Sequence, residues 1–223
     1  MSVNPIIVAL DVPSLDEAVA LARAVGDDVG AVKVGLELYS VAGPVAVRAF
    51  AGRRVFLDVK LHDIPTTVAR ALTALRPAGP ELVNVHALGG RAMLEAAADA
   101  KGDMKLLAVT ILTSLDDAAL KEIGLPPAAE AVPQLAQLAL ESGCDGVVCA
   151  PTDIAAVRAV CPAPFMLVTP GVRPAGADRN EQARTTTPKE AIMAGADRIV
   201  IGRPITHAPD PRAAARAILE ELT

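Results

Sequence analysis

Short aliphatic runs alternate with amphipathic stretches from one end of the chain to the other. IIVALD (6–11), AVKVG (31–35), RVFLDVK (54–60), LVNVHA (82–87), KLLAVTIL (105–112), GVVCA (146–150), PFMLVTP (164–170) and RIVIG (198–202) read as strands. Between them SLDEAVALARAVG, TTVARALTAL, GRAMLEAAADA, EAVPQLAQLALESG, TDIAAVRAV and PKEAIMAG carry helical periodicity, and PDPRAAARAILEEL closes the chain. Ser14 is expected to cap the first helix, with Glu17 completing a capping box. Eight strand–helix units at a spacing of roughly 25 residues predict an α/β fold, a (β/α)8 TIM barrel. No linker or low-complexity block divides it, so residues 1–223 form one domain. An open doubly wound sheet is the alternative, but it usually has fewer strands and a Gly-rich first turn, absent here.

Period-two alternation places charge where a core strand should have none. In RVFLDVK, Val55, Leu57 and Val59 share one face while Phe56, Asp58 and Lys60 share the other. The same test turns Val32 and Val34 outward and Lys33 inward. On the first strand it turns Val8 and Leu10 outward and Ile7, Ala9 and Asp11 inward. Three neighbouring strands thus send Asp11, Lys33, Asp58 and Lys60 to the barrel interior near their carboxyl ends, the catalytic face of such barrels. A charge cluster that merely fixes strand register is the bland alternative. Burying charge is costly, however, and four clustered ionisable groups at that face point to an active site. His86 is expected inward beside Asn84, and His62 to alternate away from its charged neighbours. Neither has a partner at ligand spacing, so both read as hydrogen-bonded structural residues.

TPGVRPAGADRNEQARTTTP (169–188) is longer and more polar than an ordinary connection, and it carries Arg173, Arg179, Gln182 and Arg184. Next to it, IVIGRP puts Gly202 and Arg203 just past strand eight. Loops after strands seven and eight of such barrels commonly hold phosphate, so the stretch at about 171–188 reads as a phosphate-side lid. After strand five, Thr113 and Ser114 either cap the next helix or meet a ligand at the rim; spacing does not choose between these.

Composition narrows the class. Of 223 residues 52% are hydrophobic and 2% aromatic, which suits one aliphatic core. The net charge of −5 argues against a general nucleic-acid surface. No apolar run approaches a membrane span and the start MSVNPIIVALDV lacks a leader pattern, so a cytoplasmic protein is expected. Cys144, Cys149 and Cys161 have no metal or redox spacing and read as reduced, packed thiols, Cys149 within a strand.

Taken together, DVKLHDIPTT, ALDV, VKVG, LTS, TPGVRP, Gln182 and IGRP, in this order from about Ile6 to Arg203, resemble the orotidine 5′-monophosphate decarboxylase family. DVKLHD looks like its DxKxxD signature. The resemblance implies metal-free, cofactor-free decarboxylation of orotidine 5′-monophosphate (OMP) to UMP in pyrimidine synthesis, usually in a homodimer. It implies Lys60 as proton donor to C6, Asp58 near the departing carboxylate, and Lys33 orienting both. Asp63 and Thr67 would reach into the partner's site, Asp11 would hold the ribose, and Thr113 with Ser114 would meet the pyrimidine edge. Arg173, Gln182, Gly202 and Arg203 would form the phosphate end. Mg-dependent sugar-phosphate decarboxylases or aldolases of the same superfamily share the strand-three motif but carry an acid on strand two, where this chain has Lys33. A non-catalytic nucleotide-binding barrel is the remaining alternative; it would have no need of so many interior charges.

Overall fold

The computed structural model of the protein describes residues 4–174 and 186–222. Eight parallel strands pair in chain order and close into a barrel. They are β1 (Ile6–Ala9), β2 (Ala31–Gly35), β3 (Val55–Leu61), β4 (Leu82–His86), β5 (Lys105–Val109), β6 (Gly146–Val148), β7 (Met166–Thr169) and β8 (Arg198–Ile201). Most are shorter than the apolar runs that announce them. The runs continue past the last ladder pair: Leu10 and Asp11 extend beyond β1, and residues 110–112 beyond β5. Those overhanging ends form the rim of the site.

The alternation read from the sequence separates two apolar layers. Ile7, Ala9, Phe56, Leu82, Leu107 and Val168 fill the barrel interior. Ile6, Val8, Leu10, Val32, Val34, Val55 and Leu57 face the helical shell, with Val59 packed against that layer. Each such aliphatic side chain contributes about 1.5–3 kcal/mol when fully buried. Polar side chains enter the interior near the carboxyl end of the strands, where the apolar filling stops, and Arg198 enters at the amino end of β8, buried in phase with Val200.

The helices Leu15–Val25, Pro65–Leu75, Arg91–Ala100, Ala128–Glu141, Ile154–Val160, Pro188–Met193 and Pro211–Glu221 answer the expected amphipathic segments. Two more, Leu36–Ala42 and Pro44–Arg48, fill the β2–β3 connection and escape a periodicity reading because Gly43 (φ 56°) divides them into short pieces. At Ser14 only half of the expected capping box forms: its hydroxyl accepts from Glu17 N at 3.3 Å. The reciprocal box is instead at Thr187, whose N–H donates to Glu190 Oε2 at 2.9 Å while Glu190 N donates to Thr187 Oγ1. Among the described residues no helix is long and apolar enough to cross a membrane.

Candidate active site

β3 departs from regular pairing where the charges begin. Leu57 pairs with Val83 and Leu61 with Val85, so β3 advances four residues while β4 advances two. Lys60 lies in this bulge with φ at 50°, a left-handed conformation that a lysine adopts only when its surroundings impose it. Its N–H donates to Asn84 Oδ1 at 2.7 Å in place of a ladder carbonyl. Bulges re-aim side chains, and here the result is that Asp58 and Lys60 meet over the barrel mouth.

The four inward charges form one chain. Lys33 Nζ lies 2.8 Å from Asp11 Oδ1 and 3.3 Å from Asp58 Oδ2, and Lys60 Nζ lies 2.7 Å from Asp58 Oδ1. Asn84 Nδ2 donates to the same Asp58 Oδ1 at 2.7 Å. Lys33 is 7% exposed. Burial pulls the Lys33 ammonium toward neutrality, but the Asp58 and Asp11 carboxylates outweigh it and hold its pKa above the usual lysine value. For Asp58, burial favours the neutral acid, yet Lys33 and Lys60 with the Asn84 hydrogen bond keep it below the usual carboxylate range. Lys33 and Asp58 are thus held charged within a largely apolar barrel. Gly35, which opens the helix Leu36–Ala42, makes room for it: a Cβ there would stand 2.3 Å from Asp11 Oδ1 and 2.9 Å from Lys33 Nζ.

Two cavities share Lys33, Asp58, Lys60, Pro170 and Val200 as a common wall. The larger, about 620 Å³, runs from Asp11 to Arg173, Gly202 and Arg203. The smaller, about 160 Å³, is mainly apolar and is lined by Phe56, Val109, Ile111, Thr113, Val148 and Cys149 among others. Burial pushes the Cys149 thiol up to about 12, which leaves it protonated and inert as a nucleophile. Cys144 and Cys161 are likewise free and buried.

The far end of the larger cavity is cationic. Arg173 is 8% exposed, and its Nε is buried without a hydrogen-bond partner among the described residues. Burial, followed by the nearby Arg203 charge, lowers the Arg173 pKa. Two guanidinium groups brought together, with no ion pair to a carboxylate among the described residues, make a site for a dianion. A Cβ at Gly202 would make only ordinary contact with Ala9, at 3.6 Å, so the protein itself leaves that space open.

The remaining expected residues divide. Thr113 lines the apolar recess, whereas Ser114 is exposed and lines neither cavity. Neither caps the following helix; Asp116 does, accepting from Ala119 N at 2.9 Å. Asp63 and Thr67 are exposed at the rim and line neither cavity within this chain. Gln182 and the central part of the expected lid, with Arg179 and Arg184, lie outside the described residues. His86 Nδ1 accepts from Leu88 N at 3.4 Å, and its ring stacks on His62 with centroids 5.4 Å apart. His62 therefore turns toward His86 and the mouth, because the bulge shifts the alternation that would send it elsewhere. Among the described residues no group of three or more His, Cys, Asp or Glu is arranged to hold a metal. The sequence marks Asn84 only as a neighbour of His86. Its signal is an amide on the inward face of a buried strand beside the charged one.

Residues 4–218 match the family model for the orotidine 5′-phosphate decarboxylase / HUMPS family. The chain is 56% identical over 220 residues to an orotidine 5′-phosphate decarboxylase of Anaeromyxobacter sp. (strain K), covering 96% of both proteins. It is 51% identical over 222 residues to that of Thermobifida fusca, covering 98% of this chain and 95% of the relative. The crystal structure of orotidine 5′-phosphate decarboxylase from Lactobacillus acidophilus superposes with a TM-score of 0.88 at 41% identity, covering 99% of each chain. Barrel, charge chain and these likenesses agree over nearly the whole length, and the chain belongs to the orotidine 5′-phosphate decarboxylase / HUMPS family.

Proposed function

We propose that the protein decarboxylates OMP to UMP, with Lys60 supplying the proton that replaces CO2 at C6 and with no metal or organic cofactor. The observation that carries this reading is the ion chain Asp11–Lys33–Asp58–Lys60, set between an apolar recess and an arginine end. Breaking the C6–carboxylate bond leaves an electron pair in the ring plane, where the pyrimidine cannot delocalise it readily. An ammonium fixed beside C6 stabilises that pair as it forms, then gives it a proton and is reprotonated from solvent. Asp58 keeps Lys60 in place, and Lys33 keeps Asp58 ionised. The apolar recess lined by Thr113 accommodates the pyrimidine edge and the departing CO2. Asp11 faces the ribose, and Arg173 and Arg203, with Gln182 and the Gly202 backbone, face the phosphate under the lid.

Both oxygens of Asp58 are committed to ammonium groups, and Lys33 stands where the Mg-dependent relatives carry an acid. A divalent cation would have to displace those ammoniums. The test is the loss of orotate absorbance when purified protein meets OMP in the presence of EDTA. Turnover is expected to be unchanged by the chelator. Chelator-sensitive turnover points to the Mg-dependent chemistry, and no turnover with UMP still bound points to a binding barrel.

Arg203→Ala is expected to lower kcat/KM by roughly 10- to 100-fold, the equivalent of a charge-assisted hydrogen bond worth about 1.5–3 kcal/mol. Part of that loss should fall on kcat, because remote binding energy helps close and order the site. Steady-state kinetics with OMP check this, and a variant indistinguishable from wild type removes Arg203 from the phosphate end.

The active unit in this reading is a homodimer, with Asp63 and Thr67 entering the partner's site. Support comes from the rim itself: Ile64, next to Asp63, is 64% exposed and Leu36, at the cavity edge, 62%. An apolar rim around a charged mouth is suited to burial against a second copy. Lys60→Ala and Asp63→Ala subunits, each inactive, should regain activity when mixed. Random exchange of equal amounts makes about half the dimers hybrid, each with one intact site, so about a quarter of wild-type activity returns. No recovery after mass spectrometry has verified exchange would count against the shared site.

A further inference from the structure

We infer that Asn84 is a positioning residue of this site, fixing at once the backbone of Lys60 and the carboxylate of Asp58. The inference rests on the decarboxylase reading above and adds a residue to it. Asn84 is completely buried, and both ends of its amide are spent on the two central groups: Oδ1 accepts from Lys60 N and Nδ2 donates to Asp58 Oδ1, each at 2.7 Å. The β3 bulge makes the first bond necessary. With four residues of β3 set against two of β4, the Lys60 N–H is held by a β4 side chain rather than a β4 carbonyl. An orphaned N–H there would leave the left-handed lysine without its anchor.

The second bond settles which Asp58 oxygen faces Lys60. Oδ1 receives Lys60 Nζ and Asn84 Nδ2, while Oδ2 faces Lys33. A carboxylate held from three directions is restrained against rotation, and Lys60 is restrained with it. At neutral pH the asparagine amide serves both bonds, with one acceptor and one donor on a short side chain. Leucine offers neither an acceptor nor a donor, and aspartate keeps the acceptor but sets a second negative charge against Asp58.

Asn84→Ala is expected to lower kcat about 10- to 100-fold, the scale of a small misplacement of reacting groups, with KM and UMP affinity changed less than about threefold. Asn84→Asp supplies a signature that lost packing cannot imitate. At about pH 8 its carboxylate repels Asp58 and activity is low. Near about pH 5.5 the neutral acid regains a donor, so its kcat relative to wild type at the same pH rises several-fold. Rates are referred to sites counted by UMP titration, and should Asn84→Ala be insoluble the shape-conserving Asn84→Asp decides the question. Wild-type kcat in these variants, or lost thermal stability with unchanged kcat per site and no acid recovery, overturns the inference. An active wild type with unimpaired variants overturns it alone, whereas a wild type that leaves OMP untouched overturns the decarboxylase reading as well.

Discussion

Lys60→Ala will turn over OMP at least about 10⁴-fold more slowly than the wild type while binding UMP within a few-fold of its affinity. Two losses coincide. A positioned general acid is worth roughly 10²–10⁴ and a preorganised charge beside the developing anion roughly 10²–10³, and one ammonium does both. The product of the two overstates the loss, because groups acting as a unit are not additive, so the lower figure is the prediction. UMP carries neither the carboxylate nor the carbanion, and Arg173 and Arg203 at the opposite end of the cavity are untouched. Absorbance kinetics at high enzyme concentration, with calorimetric titration of UMP, read both quantities. A kcat within tenfold of wild type would remove Lys60 from the chemistry.

The second large effect falls on Asp58→Asn, which keeps the shape and removes the charge. Turnover is expected to drop by about 10³-fold or more, since Lys60 loses its tether and Lys33 is left facing Asp11 alone. Removing one partner of a buried ion network also destabilises the fold, here by about 3–5 kcal/mol. The pH dependence of that cost has a definite sign. Asp58 titrates below the ordinary 3.8, so its stabilisation is complete above that value and fades as pH falls through the lower folded pKa. Lys33 titrates above the ordinary 10.5, so its share is complete below that value and fades only at higher pH. The stability gap between wild type and Asp58→Asn should therefore be flat from about pH 5 to about pH 9, closing in stronger acid as Asp58 protonates and narrowing in strong alkali as Lys33 loses its charge. Denaturant melts across that range test it; a gap already shrinking near neutrality would mean that Asp58 is not held ionised as described.

Much of this is legible in the residues. Alternation sends Asp11, Lys33 and Asp58 to one interior, because β1, β2 and the β2 side of β3 are regular as far as Asp58; Lys60, in the bulge, joins them through the altered backbone. It fails where the ladder fails. Nothing in VFLDVKLH announces a lysine with φ at 50°, so the turn of His62 toward His86 and the need for Asn84 stay hidden until β3 and β4 are set side by side. Thr113 and Ser114 cannot be separated by spacing, since the cap that excludes them, Asp116, lies a few residues farther on in the same polar run. Asp63 and Thr67 are a different case. Their proposed targets belong to another copy of the chain, so neither periodicity nor a single protomer discloses what they touch.

Gly35 matters to anyone who would redesign this barrel. Its backbone angles, φ −84° and ψ 178°, suit any amino acid, so a propensity table would wave a replacement through. The obstruction is purely spatial: the first carbon of any side chain would wedge between the Asp11 oxygen and the Lys33 nitrogen. Libraries randomised at that codon should return glycine nearly alone among active clones, and diversity aimed at new substrates is better spent on Val109, Ile111 and Val148, the side of the apolar recess made without charged residues.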